Sequence, residues 1–187
     1  MGVYVTVPQG SQVLDALGNP NLVTTYLTAT AQVPFSNITL VVSDTTGVDL
    51  VPGAQMDGGG APVSAQSSAE VDFFHNIINT SNGPAKFCLN YRSNSGSQVL
   101  SFLSQNSVAI VNNCFTLETG VSPKSILRLH IVVKVTDKLL PGDRDNIRVY
   151  LTNASTGAEI ANASATNTVM ITASPLLPRI WLPLIIL

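Results

Sequence analysis

The sequence contains few charged side chains. Asp, Glu, Lys and Arg make up 11% of the 187 residues, against roughly 25% in typical domains. The formal net charge is −2, and a chain without a basic surface is a poor ligand for phosphate backbones, which argues against nucleic acid as a partner. Because hydrophobic residues reach 45%, the polar surface must come mainly from Ser, Thr, Asn and Gln. This composition is typical of secreted, β-rich surface proteins.

Helical periodicity is also missing. No segment repeats apolar residues at i, i+3, i+4 and i+7, whereas alternation with a period of two is common. The clearest example is Ser125–Thr152, in which two alternating segments flank a Pro141-Gly142-Asp143 turn, and we expect them to form a hairpin. Their predicted inward residues are Leu127, Leu129, Ile131, Val133, Val135, Ile147, Val149 and Leu151.

Further strands are predicted along the chain. They are Val3–Val7, Leu22–Val33, Asn37–Ser43, Val48–Val51, Ala69–Asn79, Lys86–Arg92, Val99–Leu103, Ser107–Val111 and Ala158–Ala173. The turn Ser81–Pro84 predicts a second hairpin, between Ala69–Asn79 and Lys86–Arg92. In the last strand we expect Val169 and Ile171 to face inward and the chain to bend near Asn162. Apart from Val48–Val51, residues 44–68 are predicted to form a flexible loop.

The fold class predicted from this pattern is all-β. Many short strands of unequal length, joined by Gly and Pro turns, favour a Greek-key sandwich over a barrel. The expected organisation has three parts. Residues 1–36 supply N-terminal strands that belong to the sandwich or to a subunit contact. Residues 37–173 form the antiparallel β-sandwich, and residues 174–187 form an extended apolar C-terminal tail.

The chain has only two cysteines, Cys88 and Cys114. In an oxidising compartment an even pair indicates one disulfide. Closing a loop of roughly 26 residues would stabilise the fold by about 3–4 kcal/mol in the chain-entropy model. Two buried free thiols are the alternative.

Candidate glycosylation sites are given by four Asn-X-Ser/Thr sequons. In a chain this rich in Asn, Ser and Thr they give weak support for a surface location. The sites are Asn37, Asn79, Asn153 and Asn162.

Candidate catalytic groups are few, since the chain has two histidines. His130 lies on the polar face of its strand and is expected to face solvent or an interface. His75 lies in an apolar strand and is expected to be a hydrogen-bonded histidine of the core or its boundary. No Gly-X-Ser-X-Gly motif is present, and Gly58–Gly60 lacks the Lys and Ser/Thr of a phosphate-binding loop. We therefore predict no catalytic residue, no cofactor and no small-molecule substrate.

A metal site is also not predicted. Asp143 and Asp145, with Asn146, are weak candidates for holding Ca²⁺ together with backbone carbonyls. Turn formation is the simpler explanation for these residues. Asp44, Asp49 and Asp57 are still weaker candidates.

Four segments resemble the Ig-like repeat domains of bacterial and archaeal cell-surface proteins, and also the sandwich subunits of TasA-type biofilm fibres and archaeal bundling pili. Asp72–Gly96 is similar to a strand, an Asn/Gly turn and a returning strand of those domains. Val121–Val135 resembles their proline-led hydrophobic strand, Leu139–Gly157 the turn and strand that follow, and Ala165–Thr172 the last strand. The resemblance implies an Ig-like or jelly-roll-like sandwich and a structural role at the cell surface.

The C-terminal segment Ser174–Leu187 is almost wholly apolar, and its three prolines exclude a continuous helix. About 14 residues are also too few to cross a bilayer as a helix, which takes about 20. Three roles remain: an edge strand of its own domain, a donor strand in the next subunit, or a sorting or anchoring signal similar to the "LPL" ends of some Chloroflexi-type secreted proteins. The residues predicted to drive assembly are Ile180, Trp181, Leu182, Leu184, Ile185, Ile186 and Leu187.

These observations together predict a secreted structural protein without enzymatic activity. We expect an extracellular, cell-surface location, copies of the chain itself as partners, and attachment to the cell envelope. Residues 1–3 do not open a signal peptide. Either a leader has been removed or replaced, or the chain is not exported, and the composition favours the former. The alternative function is an extracellular adhesion or carbohydrate-binding module, which would need an exposed aromatic platform in a chain with only 6% aromatic residues.

Overall fold

The computed structural model describes residues 12–14, 20–33, 36–120 and 122–173. These residues contain no helix, and hence no helix that could cross a membrane. The strands are β1 (Leu22–Val33), β2 (Ser36–Gly47), β3 (Ala54–Met56), β4 (Val63–Ala65), β5 (Glu70–Asn79), β6 (Ala85–Ser93), β7 (Gln98–Ser104), β8 (Cys114–Leu117), β9 (Ile126–Lys134), β10 (Arg144–Asn153) and β11 (Glu159–Ile171).

Strands β3 to β11 form two sheets that pack face to face. The five-stranded sheet has the order β4-β11-β10-β6-β8, and the four-stranded sheet has the order β3-β5-β9-β7. Neighbouring strands are antiparallel except β4 and β11, which run parallel. The predicted all-β sandwich is confirmed, with this one parallel pair as a departure from a purely antiparallel arrangement.

The core consists of the inward side chains of the two sheets. Every second residue of β5, β9 and β10 is buried, as period-two alternation requires. Fully burying one such aliphatic side chain stabilises the fold by about 1.5–3 kcal/mol relative to exposing it. The predicted inward residues of the sequence analysis are all buried: Leu127, Leu129, Ile131, Val133, Val135, Ile147, Val149, Leu151, Val169 and Ile171.

Both predicted hairpins are wrong in their pairing. Strands β5 and β6 lie in different sheets, and so do β9 and β10. The turns between them therefore carry the chain from one layer of the sandwich to the other. The Leu140–Asp143 turn forms as expected, with Asp143 N donating to Leu140 O at 2.9 Å. Alternation identifies which face of a strand is buried. The same alternation is expected whether the next strand lies beside it in the same sheet or about 10 Å away in the other sheet, so it does not identify the pairing.

Other strand boundaries differ from the prediction between residues 44 and 113. Val48–Val51 is not a strand, whereas β3 and β4 lie within the predicted loop. Ser107–Val111 is also not a strand, and only Val111 bridges to Cys114. Gly59 passes close to β11: a Cβ built there would lie 1.7 Å from Thr166 O, so this loop packs against the sheet. Both short strands lie at sheet edges, where brief pairing leaves little periodic signal.

The bend predicted near Asn162 is present. Asn162 has a φ of 61°, and the pairing of β10 with β11 shifts register between Tyr150–Ser164 and Thr152–Glu159. Asparagine tolerates the left-handed region better than most residues. β11 continues through this break and has 13 residues in all.

Strands β1 and β2 form a separate two-stranded hairpin, which we call the arm (Leu22–Gly47). The register runs from Leu22 opposite Gly47 to Val33 opposite Ser36, and neither strand pairs with the sandwich. Both strands were expected, but the expected division at residue 36 falls inside the arm. The predicted strand Val3–Val7 lies outside the described residues.

A polar contact crosses the core between the two sheets. His75 on β5 and Asn167 on β11 are both buried, and His75 Nε2 lies 3.0 Å from Asn167 Oδ1. His75 Nδ1 lies 3.1 Å from Asp57 Oδ1. The expectation of a hydrogen-bonded core histidine is confirmed. Because the pair lies among apolar side chains, it fixes how the sheets face each other.

We expect His75→Leu and Asn167→Leu each to lower the free energy of unfolding by about 1–3 kcal/mol, because each leaves the other polar group buried without its partner. The double variant should lose less than the sum, since both groups are then apolar. Denaturant unfolding measures all three variants. The exposed Thr166→Val on β11 is the control, with an expected change within about 0.5 kcal/mol. Strict additivity would show that the two side chains do not interact.

Candidate functional site

The disulfide predicted from the cysteine count is confirmed. Cys88 on β6 and Cys114 on β8 lie directly opposite each other in antiparallel register and are joined, with their Cα atoms 4.0 Å apart. Strand β8 has four residues and lies at the edge of its sheet. The bond therefore fastens a short edge strand that could otherwise fray.

The sequons have different surroundings. The side-chain nitrogen of Asn79 donates to three backbone carbonyls at 3.0–3.1 Å, so a glycan there would compete with a structural contact. Asn153 accepts the backbone N–H of Ser155 at 2.8 Å. Asn162 is exposed at the bend of β11, and Asn37 pairs with Gln32 in the arm. Glycosylation stays a prediction, and Asn162 is the site whose surroundings suit it best.

The two weak calcium candidates are both used in structural hydrogen bonds. Asp143 Oδ2 accepts the backbone N–H of Leu140 at 2.8 Å. The Asp145 carboxylate is fully buried and accepts the Ser93 hydroxyl at 2.9 and 3.0 Å and the N–H of Ser95 at 3.2 Å. Within the described ranges, no group of three or more His, Cys, Asp or Glu is arranged to hold a metal ion.

The assembly residues predicted in the C-terminal tail lie outside the described residues. They are Ile180, Trp181, Leu182, Leu184, Ile185, Ile186 and Leu187. The described chain ends at Ala173, next to β4, where Thr172 N donates to Ala65 O at 2.8 Å. The structure thus gives the point from which the tail departs.

Strand β7 offers a free sheet edge. It has seven residues, whereas the other outer strands of the sandwich have three or four. It pairs with β9 on one side only, and none of its backbone groups bonds to another described residue on the other side. Its sequence, QVLSFLS, contains no charge and no proline, the usual protections against pairing with another chain. A bulge at Leu100 is its one irregularity.

The outer face of the four-stranded sheet carries a cluster of exposed hydrophobic side chains. Cross-strand pairing places Ile78 beside Ile126, and both Phe74 and Leu103 beside His130. We call this set the apolar patch: Phe74, Ile78, Leu103 and Ile126. The outer face of the five-stranded sheet is different in character, since Arg148 there pairs with Glu159 and lies over the Tyr150 ring.

Phe74 is the most exposed member of the apolar patch, at 65%. Its ring stacks on the His130 imidazole, with centroids 4.7 Å apart and planes inclined by 15°. His130 Nε2 lies 2.8 Å from Asp72 Oδ1, and Gln105 Nε2 lies 3.4 Å from His130 Nδ1. His130 was expected to face solvent or an interface. It lies on the outer face, but these neighbours leave only 18% of its side chain exposed. The arrangement presents a fixed, flat ring next to a carboxylate and an amide.

Phe74 was missed because Ala69–Asn79 is apolar enough to suggest a strand buried on both faces. The order in which hydrophobic and polar residues alternate along this strand does indicate that Phe74 faces outward. Val71, Phe73, His75 and Ile77 share the inward face, which leaves Phe74 and Ile78 outside.

The base of the arm is fixed to the sandwich by one side chain. Asn82 Oδ1 accepts the N–H of Val51 at 2.7 Å, and its Nδ2 donates to Asp49 O at 2.9 Å. Its backbone carbonyl accepts the N–H of Val13 at 2.8 Å. Asn82 was expected only as a turn residue. It also connects both chain segments that flank the arm to the turn between β5 and β6.

No family model and no curated protein matches the chain. Similar solved structures include a chain of a type I cohesin–dockerin complex from Clostridium thermocellum, at 15% identity over 64% of this chain and 99% of that chain, with a TM-score of 0.36. A non-cellulosomal cohesin from the archaeon Archaeoglobus fulgidus has 14% identity over 65% and 92%, with a TM-score of 0.34. A FixG-related protein from Vibrio parahaemolyticus has 14% identity over 67% and 100%, with a TM-score of 0.39. Likenesses this distant carry no argument about function.

We expect Asp145→Ala to lower the free energy of unfolding by about 1.5–3 kcal/mol, because it removes a charged acceptor from buried donors. Asp143→Ala, on the exposed turn, should cost less than about 1 kcal/mol. Denaturant unfolding compares the two variants. Millimolar Ca²⁺ should leave the Tm of the unaltered chain unchanged. A Tm that rises with Ca²⁺, and no longer does so in Asp145→Ala, would instead establish a calcium site.

Proposed function

We propose that the chain is a secreted structural subunit of a cell-surface filament, pilus or sheath. In this proposal the C-terminal segment of one copy adds as a strand to the β7 edge of the next. The observation that carries it is the free, uncharged, proline-free edge of β7. Backbone hydrogen bonds give such strand addition its affinity, and alternate side chains give it specificity.

The donor has the chemistry that strand addition requires. Ser174–Leu187 contains Ile180–Leu182 and Leu184–Leu187, which are hydrophobic runs on either side of Pro183. Burying them would contribute on the order of 10 kcal/mol gross, at about 25 cal/mol per Å². Prolines are tolerated in a strand that adds to an edge, because only one side of that strand must supply N–H groups.

The geometry favours a neighbouring copy as the acceptor. The tail departs after β11, which packs over β3 and pairs with β4. Strand β7 lies at the opposite edge of its sheet from β3. A tail that reached β7 of its own chain would have to wrap around the sandwich, whereas β7 of another copy can be brought to it directly. A head-to-tail contact of this kind that does not close into a ring generates a filament.

Composition and the disulfide support an extracellular location. Disulfides persist in oxidising compartments and are rare in reducing ones, and Cys88–Cys114 is formed. A structural subunit needs no catalytic activity, so the proposal includes the absence of enzymatic activity.

The proposal predicts that the full chain forms filaments at low micromolar concentration and that deletion of residues 174–187 abolishes them. Negative-stain microscopy and sedimentation velocity measure this. Leu100→Lys places a charge on the β7 edge and should shorten or abolish the filaments. Leu140→Lys, on an exposed turn away from β7, is the control. Filaments formed by the truncated chain would contradict the proposed donor, and filaments of unchanged length in Leu100→Lys would contradict the proposed acceptor.

A second function, binding of a cell-surface polysaccharide, is favoured by one observation. The Phe74 ring is exposed and held parallel to His130. A pyranose ring can stack its apolar C–H face on such a ring while its hydroxyls bond to Asp72 and Gln105. The exposed aromatic platform that the carbohydrate-binding alternative requires is therefore present in the form of one ring.

If this second function holds, Phe74→Ala should weaken polysaccharide binding roughly tenfold or more, because the stacked surface is lost. Phe74→Tyr keeps the ring and should retain binding. Ile78→Ala, in the same patch but without a ring, is the control. Glycan arrays followed by calorimetry supply the measurement. A chain that binds no glycan, or that binds equally well as Phe74→Ala, excludes this function for the Phe74 surface.

A further inference from the structure

The arm has an apolar face that no described part of the chain covers. Leu27 pairs with Val42, and Ala29 pairs with Leu40. Because side chains alternate across a strand, these four residues share one side of the hairpin. We call this set the arm's apolar face: Leu27, Ala29, Leu40 and Val42. Its three large members are 50–61% exposed.

An arm in this state requires a partner. A two-stranded hairpin is marginally stable on its own in water. Its two strands of 12 residues extend for about 40 Å, at about 3.4 Å per residue. The opposite side carries the hydroxyls of Thr24 and Thr45, which lie 3.3 Å apart, and it also exposes Tyr26 and Val41. The two sides therefore differ less in hydrophobicity than in charge.

The same molecule carries a second uncovered hydrophobic surface, the apolar patch on the four-stranded sheet. We propose that the arm of one copy lies across the outer face of this sheet in a second copy, with the arm's apolar face against the apolar patch. The inference extends the proposed assembly by a second contact, and it does not depend on the C-terminal segment.

Charge supports this choice of partner. Asp44 is the only charged residue in the arm; it is exposed and lies on the apolar side, two residues from Val42. Arg128 is exposed on the outer face of β9, two residues from Ile126, and it forms no ion pair with the described residues. Equal spacing along the two strands allows Val42 to meet Ile126 while Asp44 meets Arg128.

The contact between the arm and the apolar patch is too small to hold two copies together without a second contact. One face of the arm, about 40 Å long and 10 Å wide, buries on the order of 800 Å² in total with its partner. Stable interfaces bury about 1,200–2,000 Å². The arm contact alone is therefore weak, and it gains strength when a second contact joins the same two copies.

Cysteine cross-linking of full-length chains tests the placement. Chains carrying Val42→Cys are mixed with chains carrying Ile126→Cys, oxidised mildly, and resolved by non-reducing electrophoresis. Val41→Cys is the matched control, because Val41 is adjacent and similarly exposed but lies on the other side of the arm. We expect heterodimer yields at least about tenfold higher for Val42→Cys than for Val41→Cys. Equal yields would overturn the proposal. The proposal would also be overturned if a single chain that carries both cysteine substitutions formed the disulfide within itself.

A charge exchange tests the register. Asp44→Lys and Arg128→Glu should each weaken self-association, by up to about fivefold for an exposed pair, and the double variant should restore it. Sedimentation equilibrium measures the association. A double variant as weak as the single variants would overturn the pairing of Asp44 with Arg128.

The two assembly contacts fail independently. If deletion of residues 174–187 abolishes filaments while Val42→Cys cross-links no better than Val41→Cys, the arm contact is wrong and the proposed strand addition stands. If the cross-link forms while the truncated chain assembles like the full chain, the arm contact stands and the proposed strand addition is wrong.

Discussion

Burial of one apolar face per strand is the constraint on which this structure depends. Along β9 and β10 every second side chain from Leu127 to Val133 and from Asp145 to Leu151 is buried, and all of these except Asp145 are hydrophobic. Neither strand could remain in water with that face uncovered. The two sheets satisfy the requirement for each other. A hydrogen bond between His75 and Asn167 crosses that interface, and it restricts how the sheets can slide.

The same constraint identifies what the sandwich leaves unsatisfied. The arm and the outer face of the four-stranded sheet each expose hydrophobic side chains, and β7 exposes backbone groups along one edge. The five-stranded sheet leaves less unsatisfied. Its outer face is covered with Arg, Asn and Thr, and its edge strand β8 is short and fastened by the disulfide. Two of these unsatisfied surfaces, the apolar patch and the β7 edge, belong to the same four-stranded sheet.

Much of the fold can be predicted from the sequence, because burial per strand is a local property. Leu127 to Val135 and Ile147 to Leu151 alternate in the sequence as they do in the core. Pairing cannot be predicted in the same way. The turn at Ser81–Pro84 has the residues of a hairpin, yet Asn79 and Ser81 use their side chains to bond to other segments while the chain crosses to the second sheet. The apolar patch escaped prediction for a related reason, since Phe74 becomes an outward residue only once the phase of β5 is fixed.

Two explanations can be given for how a chain with so few charges stays folded and binds specifically, and the arm distinguishes between them. If hydroxyls and amides alone kept the surface soluble, hydrophobic residues would be scattered singly over it. In the arm they instead follow one another along the strands, with Leu27, Leu40 and Val42 on one side and Tyr26 and Val41 on the other. The lone carboxylate of Asp44 lies on the first of these sides, two residues from Val42. A hydrophobic stripe with one charge has a single preferred register on a surface that offers a matching cation. Arg128 beside Ile126 offers that match, so the scarcity of charge makes the register of the arm more specific.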